Sequence, residues 1–163
     1  MLCAVASVAL ASGCGGGGEK GPAATVATAP TTERTTTSTT LSPEAEVEAA
    51  YLKSWDVYTE AVLTFDTSKL AETFAGPALE LVRADVQKLH ADNTPARMRV
   101  EHSYEIEVAD EIARIVDKYL NHSVLVDADS GEPTEADPNK RVNYEYTLQE
   151  TEGTWKVVDI VRP

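Results

Sequence analysis

At Pro95 the spacing of apolar residues changes from three-and-four to two, and this switch limits the chain to helices first and strands after. On the helical side, Ser42-Pro43-Glu44 is a start signal. The Ser oxygen can cap, Pro suits the first helical position where no N–H is needed, and an acid follows in the first turn. From there Val47, Tyr51, Trp55, Tyr58, Val62 and Phe65 recur at spacings of three and four, an aromatic-rich stripe on a helix of about 20 residues. Asp66-Thr67-Ser68 ends that helix and caps a short one through Leu70 and Phe74. Gly76-Pro77 opens a third helix with Leu79, Val82, Val86 and Leu89 on one face. It stops before Asp92-Asn93-Thr94-Pro95, because Pro95 disfavours a helical Thr94.

Beyond Pro95, Met98, Val100, His102, Tyr104, Ile106 and Val108 alternate with polar residues, the pattern of a half-buried strand. Asp110-Glu111 is the expected turn, and Ala113–Val126 reads as a second, longer strand. Its alternation slips partway, which predicts a bulge near Tyr119–Asn121. After the polar loop Asp127–Lys140, Val142, Tyr144, Tyr146 and Leu148 mark a third strand, and Glu152-Gly153 turns into Trp155–Val161. That last run is apolar at both parities, which predicts a central strand covered on both faces. The expected class is α+β, with the helices packed on a curved antiparallel sheet of about four strands.

The folded part is expected to span residues 42–163 and to carry all the net charge. The chain holds 27 Asp and Glu against 14 Lys and Arg, a net −13, and within the first 41 residues Glu19, Lys20, Glu33 and Arg34 cancel. Neutralising phosphates requires clustered Lys and Arg, so nucleic acid is excluded as a partner. Residues 1–14 are a short apolar run of small residues ending in Ala11-Ser12-Gly13-Cys14. They resemble the end of a bacterial lipoprotein signal peptide, which implies cleavage before Cys14 and lipidation of its thiol. The basic residues expected ahead of such a run are missing, so a longer signal with an earlier start is expected. The alternatives are an ordinary secretory signal or a disordered apolar end; a Cys3–Cys14 disulfide in an uncleaved chain is disfavoured, since it would close a Gly-rich loop with no core to protect it. Residues 15–41, opening on Gly15–Gly18 and closing on Thr35-Thr-Thr-Ser-Thr-Thr40, lack aromatic residues and have almost no charge. Such a segment cannot offset its ordering entropy by burial, so it is expected to be a disordered linker, about 30 Å across on average. The anchor implies the membrane as a partner and an extracytoplasmic location at the cell membrane.

The order of a long aromatic helix, a short helix, a third helix and curved strands resembles the nuclear transport factor 2-like superfamily, which includes SnoaL-like proteins. Phe74-Ala-Gly-Pro-Ala-Leu79 and Gly153-Thr-Trp-Lys-Val157 resemble, more narrowly, the intermembrane-space domain of chloroplast-division proteins. The resemblance covers about residues 44–163 and implies a cone of helices on a curved sheet. Tyr51, Trp55, Tyr58, His102 and Tyr104 are the candidates to line its cavity. His102 and Tyr104 share the apolar face of the first strand, where an imidazole is suited to general acid or base work. No aspartate alternates with them on that face, so no catalytic residue is assigned. His122 carries the same argument at lower weight.

Asp127-x-Asp129-x-Gly131 echoes a calcium loop, but Pro138 occupies the twelfth position where a bidentate Glu is needed, and a solvated hairpin loop is the better account. No zinc spacing, phosphate-binding glycine loop or nucleophile elbow is present, so neither a metal nor a cofactor is expected. These readings favour a non-enzymatic interaction module of an envelope lipoprotein, with an envelope protein as partner. The alternative is a binding or transport-accessory protein taking a small apolar ligand in the cone. A SnoaL-like isomerase or hydrolase comes third.

Overall fold

A computed structural model describes residues 41–162. The signal segment 1–14 with Cys14, and the linker 15–41 except for its last residue, lie outside the described residues. Helix α1 runs Pro43–Thr64. Ser42 Oγ accepts the Ala45 N–H at 3.3 Å, Glu44 and Glu46 face the positive helix end, and Phe65 closes the helix in the left-handed region with φ 64°. Helix α2 is the single turn Leu70–Thr73, and α3 runs Gly76–Ala91. The predicted stripe on α1 is the buried one: Val47, Tyr51 and Val62 are inaccessible, and Trp55, Tyr58 and Phe65 pack against the same core.

The strands are β1 Ala96–Arg97, β2 Val100–Glu101, β3 Tyr104–Ala109, β4 Ile112–Asn121, β5 Val124–Leu125, β6 Lys140–Thr151 and β7 Thr154–Val161. A five-stranded antiparallel sheet has the order β2-β4-β6-β7, with β3 continuing the lane of β2 along β4, and β1 pairs β5 in a separate ribbon. The helices cover one face of the sheet, and α1 and α3 both cross β7. At the β6–β7 turn Glu152 and Gly153 both take positive φ, 53° and 73°, the geometry whose twist matches a two-residue hairpin.

Three expectations are corrected. The first predicted strand keeps its alternation but breaks at His102–Ser103, so it appears as β2 and β3, while β1 precedes Met98. The expected bulge near Tyr119–Asn121 is absent: β4 pairs β6 without a slip from Ile112↔Gln149 to Asn121↔Lys140. What looked like a slip is Asp117, a charged residue at an inward position between Ile115 and Tyr119, with a fully buried side chain. The strand also ends at Asn121, and Val124–Leu125 turns away to β1. Finally, β7 lies at the sheet edge rather than its centre. Its register shifts against β6 between Thr147↔Asp159 and Leu148↔Val157, which leaves Val158 as an extra residue. Trp155 and Val157 point inward before that bulge, and Ile160, opposite buried Tyr146, points inward after it. A bulge, not burial on two faces, makes the run apolar at both parities.

The outer edge of β7 is closed at its middle by the α2–α3 link. Phe74 bridges Val157 in parallel, the Ala75 N–H donates to the Val157 carbonyl at 2.9 Å, and Lys156 Nζ donates to the Ala71 carbonyl at 2.8 Å. This occupies the Val157 carbonyl, which an open edge would offer to another chain.

Candidate functional site: an aromatic cavity beside a buried carboxylate

Between α1, α3 and the adjoining parts of β4, β6 and β7 lies a cavity of about 140 Å³. Its walls carry the aromatic side chains of Trp55, Tyr58, Phe74, Tyr119, Tyr144 and Tyr146, closed by aliphatic groups that include Met98 and Ile160. Each side chain is delivered by a local rule already visible in the elements. Trp55 and Tyr58 are three apart on α1 and so neighbours on its surface. Tyr144 and Tyr146 share the inward parity of β6, and the β7 bulge turns Ile160 inward.

The rings meet steeply. Tyr58 and Tyr119 stand at 79° and 80° to Trp55 with centroids 6.2 and 5.4 Å away, whereas Tyr119 and Tyr144 stack within 7° at 6.0 Å. Such edge-to-face and offset contacts add to burial and hold the box rigid. Burial drives the Tyr58, Tyr119 and Tyr146 hydroxyls well above the ordinary phenol range, so all three stay neutral.

Two polar features stand out on this wall. Trp55 Nε1 is buried without a hydrogen-bond partner of good geometry among the described residues, and it acts on the Tyr51 hydroxyl, on the side of the ring away from the cavity. Asp85, from α3, sits at the exposed rim, where the Tyr58 hydroxyl donates to it at 3.4 Å. Desolvation raises its carboxyl above the usual range, while the Tyr58 bond and the nearby Lys88 charge act the other way. Among the described residues no Lys, Arg or His forms an ion pair with Asp85. Lys88, one turn along α3, is engaged with Asp92 at 3.2 Å.

Behind Trp55, away from the cavity, lies a polar knot. Asp117 Oδ2 is 2.7 Å from the Tyr51 hydroxyl and 2.5 Å from His102 Nδ1, and its Oδ1 accepts the Ser103 N–H at 3.0 Å. Burial works to raise the Asp117 carboxyl, but the bonds from His102, Tyr51 and Ser103 outweigh it and hold it below the ordinary range. The strand break at His102–Ser103 has its cause here, since the Ser103 N–H is turned to the carboxylate. The Tyr51 phenol is raised far above its usual range, first by burial. Next to it Tyr104 donates to Glu48 Oε1 at 2.6 Å, and this bond, with desolvation, pushes its phenol up to about 12.

The five residues picked from sequence gather into one cluster. Tyr51 lies 5.9 Å from His102 and 5.5 Å from Tyr104 between ring centroids, and Trp55 lies 4.9 Å from His102. Only Trp55 and Tyr58 line the cavity; Tyr51, His102 and Tyr104 are not among its lining residues. The aspartate sought on the His102 strand is supplied by β4 instead. Its signal was in the sequence as a charge at an inward parity. Tyr119, Tyr144 and Asp85 had no such signal, because their convergence depends on strand order and helix placement.

His122 pairs elsewhere, its Nδ1 lying 2.8 Å from Asp137. In the acidic loop the Asp127 carboxylate accepts the N–H groups of Asp129 and Ser130, which holds it below the ordinary range and makes it a turn cap. Among the described residues no group of His, Cys, Asp and Glu is placed to hold a metal.

Chemically, the knot is saturated. The Asp117 carboxylate is inaccessible, and three donors occupy it, which suits a structural clasp between α1 and the sheet rather than a base. The cavity is empty of such commitments and is suited to binding.

No protein-family model matches the chain, and no curated protein matches it in sequence. Solved structures do match in fold. The intermembrane-space region of the chloroplast protein ARC6 superposes with a TM-score of 0.63 at 13% identity, covering 76% of this chain and 97% of that one. Aln2 from a Streptomyces species gives 0.53 at 16% identity, covering 74% and 90%. A protein of unknown function from Mycobacterium tuberculosis gives 0.51 at 15% identity, covering 74% and 73%. At such identities the likeness is one of fold, and a fold hosts many functions. With helices first, an antiparallel sheet after and a cavity between them, the chain has an α+β fold shared with the ARC6 intermembrane-space region.

Proposed function

We propose that the chain is a cell-envelope lipoprotein whose folded domain binds a small molecule in the aromatic cavity, without catalysing a reaction. The observation that carries this reading is the cavity itself: about 140 Å³ walled by six aromatic side chains, with a few polar groups that include one rim carboxylate. Ligand sites are typically concave, mostly apolar and furnished with a few polar groups of this kind. An engineered apolar cavity of similar volume holds benzene, so a ligand or ligand head of that bulk fits. The signal-like run ending in Cys14 and the Thr-rich segment after it support display of the domain from the outer face of the cell membrane. Among the described residues no helix is long and apolar enough to cross a membrane. The competing reading, a protein-interaction module, draws on the anchor-like run and the stalk, which suit a binding protein equally well, and the cavity outweighs it.

Thermal melting of the full chain with phenol as the probe tests the binding step. Phenol is expected to raise the Tm by several degrees at a large excess over its Kd, since a ligand of the folded state alone stabilises by RT ln(1 + [L]/Kd). Trp55→Ala, checked for an unchanged circular dichroism spectrum, is expected to abolish the shift. An equal shift in that variant overturns the assignment. Expression of Cys14→Ser tests the anchor: the protein is expected to leave the membrane fraction, and retention there refutes lipidation at Cys14.

A further inference from the structure

The cavity's lining indicates the charge of its ligand. The aromatic ring face carries the negative part of the π quadrupole, and Tyr58 and Tyr119 each meet Trp55 at close to a right angle, which gives a box of ring walls rather than a flat slot. The rim adds a carboxylate, Asp85, that has no ion-pair partner among the described residues. Among the described residues no Lys, Arg or His lines the cavity. The opposing charges act from outside the lining: Lys88, paired with Asp92, acts on Asp85, and Arg162 acts on the Tyr119 hydroxyl. The field of the chain has the same sign as Asp85, at a net −13.

We propose that the cavity takes a small organic monocation through a methylated or quaternary ammonium head, seated against Trp55, Tyr58 and Tyr119 and paired with Asp85 at the rim. The proposal rests on the reading of this cavity as a ligand site and names its ligand class. Such a head is comparable in bulk to benzene, so it suits a space of about 140 Å³, and the rest of the molecule extends past the rim. Its charge is spread over methyl groups and weakly hydrated, so the aromatic walls and one carboxylate offset its desolvation where they would fail for a bare ammonium or a metal ion. A neutral ligand would leave Asp85 unpaired, and an anion would meet it as a like charge.

The test is calorimetric titration of the full chain with choline and with 3,3-dimethylbutan-1-ol, the neutral isostere in which carbon replaces the ammonium nitrogen. Choline is expected to bind at least about tenfold more tightly than the isostere, the factor a cation–π contact plus a rim charge supplies. Asp85→Asn is expected to reduce that preference severalfold while leaving the isostere's affinity unchanged. Glu80→Gln, an exposed acid of the same helix that makes no ion pair among the described residues and does not line the cavity, is expected to leave both affinities as they are. Equal binding of choline and the isostere overturns the cation inference and leaves the cavity as an apolar ligand site. A choline preference that survives Asp85→Asn in full overturns the role of Asp85. Failure of choline, the isostere and phenol alike overturns the ligand-site reading itself.

Discussion

Asp117→Asn is the sharpest probe of what holds this fold together. The carboxylate is wholly inaccessible and accepts three hydrogen bonds, from the Tyr51 hydroxyl, His102 Nδ1 and the Ser103 N–H. A bond to a charged acceptor contributes about 1.5–3 kcal/mol and one to a neutral acceptor about 1. The amide keeps the volume, but it weakens the bonds left on its carbonyl oxygen and turns an NH₂ toward at least one donor. The sum is a loss of about 2–4 kcal/mol, or roughly 10 °C in Tm for a domain of this size. Urea unfolding of the full chain, followed by tryptophan fluorescence, measures it. The pH dependence supplies a second reading with a definite sign. Because the folded-state carboxyl lies below its ordinary value of 3.8, ionised Asp117 contributes its full stabilisation above pH 3.8. That contribution is lost only as the pH falls through the lower folded-state value. The gap between the native chain and the variant should therefore be constant from neutrality to mild acid and close below pH 3.8. A gap under about 0.5 kcal/mol at neutral pH, the scatter of an ordinary surface substitution, refutes the clasp. A gap that closes well above 3.8 refutes the assignment of the charge.

Other expectations follow from single contacts. Phe74→Ala removes a 3%-exposed ring that touches the core, the cavity and β7, and should cost about 3–5 kcal/mol in chemical denaturation. Gly76→Ala should cost about 1–2 kcal/mol in the same assay: φ is +53°, a region where a Cβ is strained whatever the available space, though this one would sit 3.5 Å from the Val158 carbonyl. Ser42→Ala should cost about 1 kcal/mol through the lost cap, while Ser42→Asp, which also caps, should retain native stability.

The helices were legible because their ends are written in local chemistry. Ser42-Pro43, Gly76-Pro77 and the cluster before Pro95 each act within a few residues, and the observed boundaries fall on them. The strands were legible in parity but not in partnership. His102 and Asp117 lie 15 residues apart, and Tyr51 and Asp117 lie 66 apart, so their bonds depend on which strands pair and which helix covers them. Asp117 reads as an interruption because a hydrophobic pattern has no symbol for a satisfied buried charge. The β7 run misleads in the opposite direction: an extra residue at Val158 makes an edge strand resemble a central one. The cavity was only half legible, since the α1 stripe names Trp55 and Tyr58, whereas Tyr119, Tyr144 and Asp85 reach it through tertiary placement alone.

The clasp of the α2–α3 link on β7 also governs the order in which this chain can fold. Lys156 reaches back 85 residues to Ala71, and the Phe74–Val157 bridge closes beside it, so the helices are fastened by a strand made long after them. During synthesis α1 and α3 must therefore wait with their apolar faces exposed until β7 has emerged, a high-contact-order arrangement that slows folding and lengthens exposure to aggregation. Once β7 docks, the helices and the sheet become one cooperative unit. Amide exchange of Ala75 should then report global unfolding, although it lies in a connection between two helices.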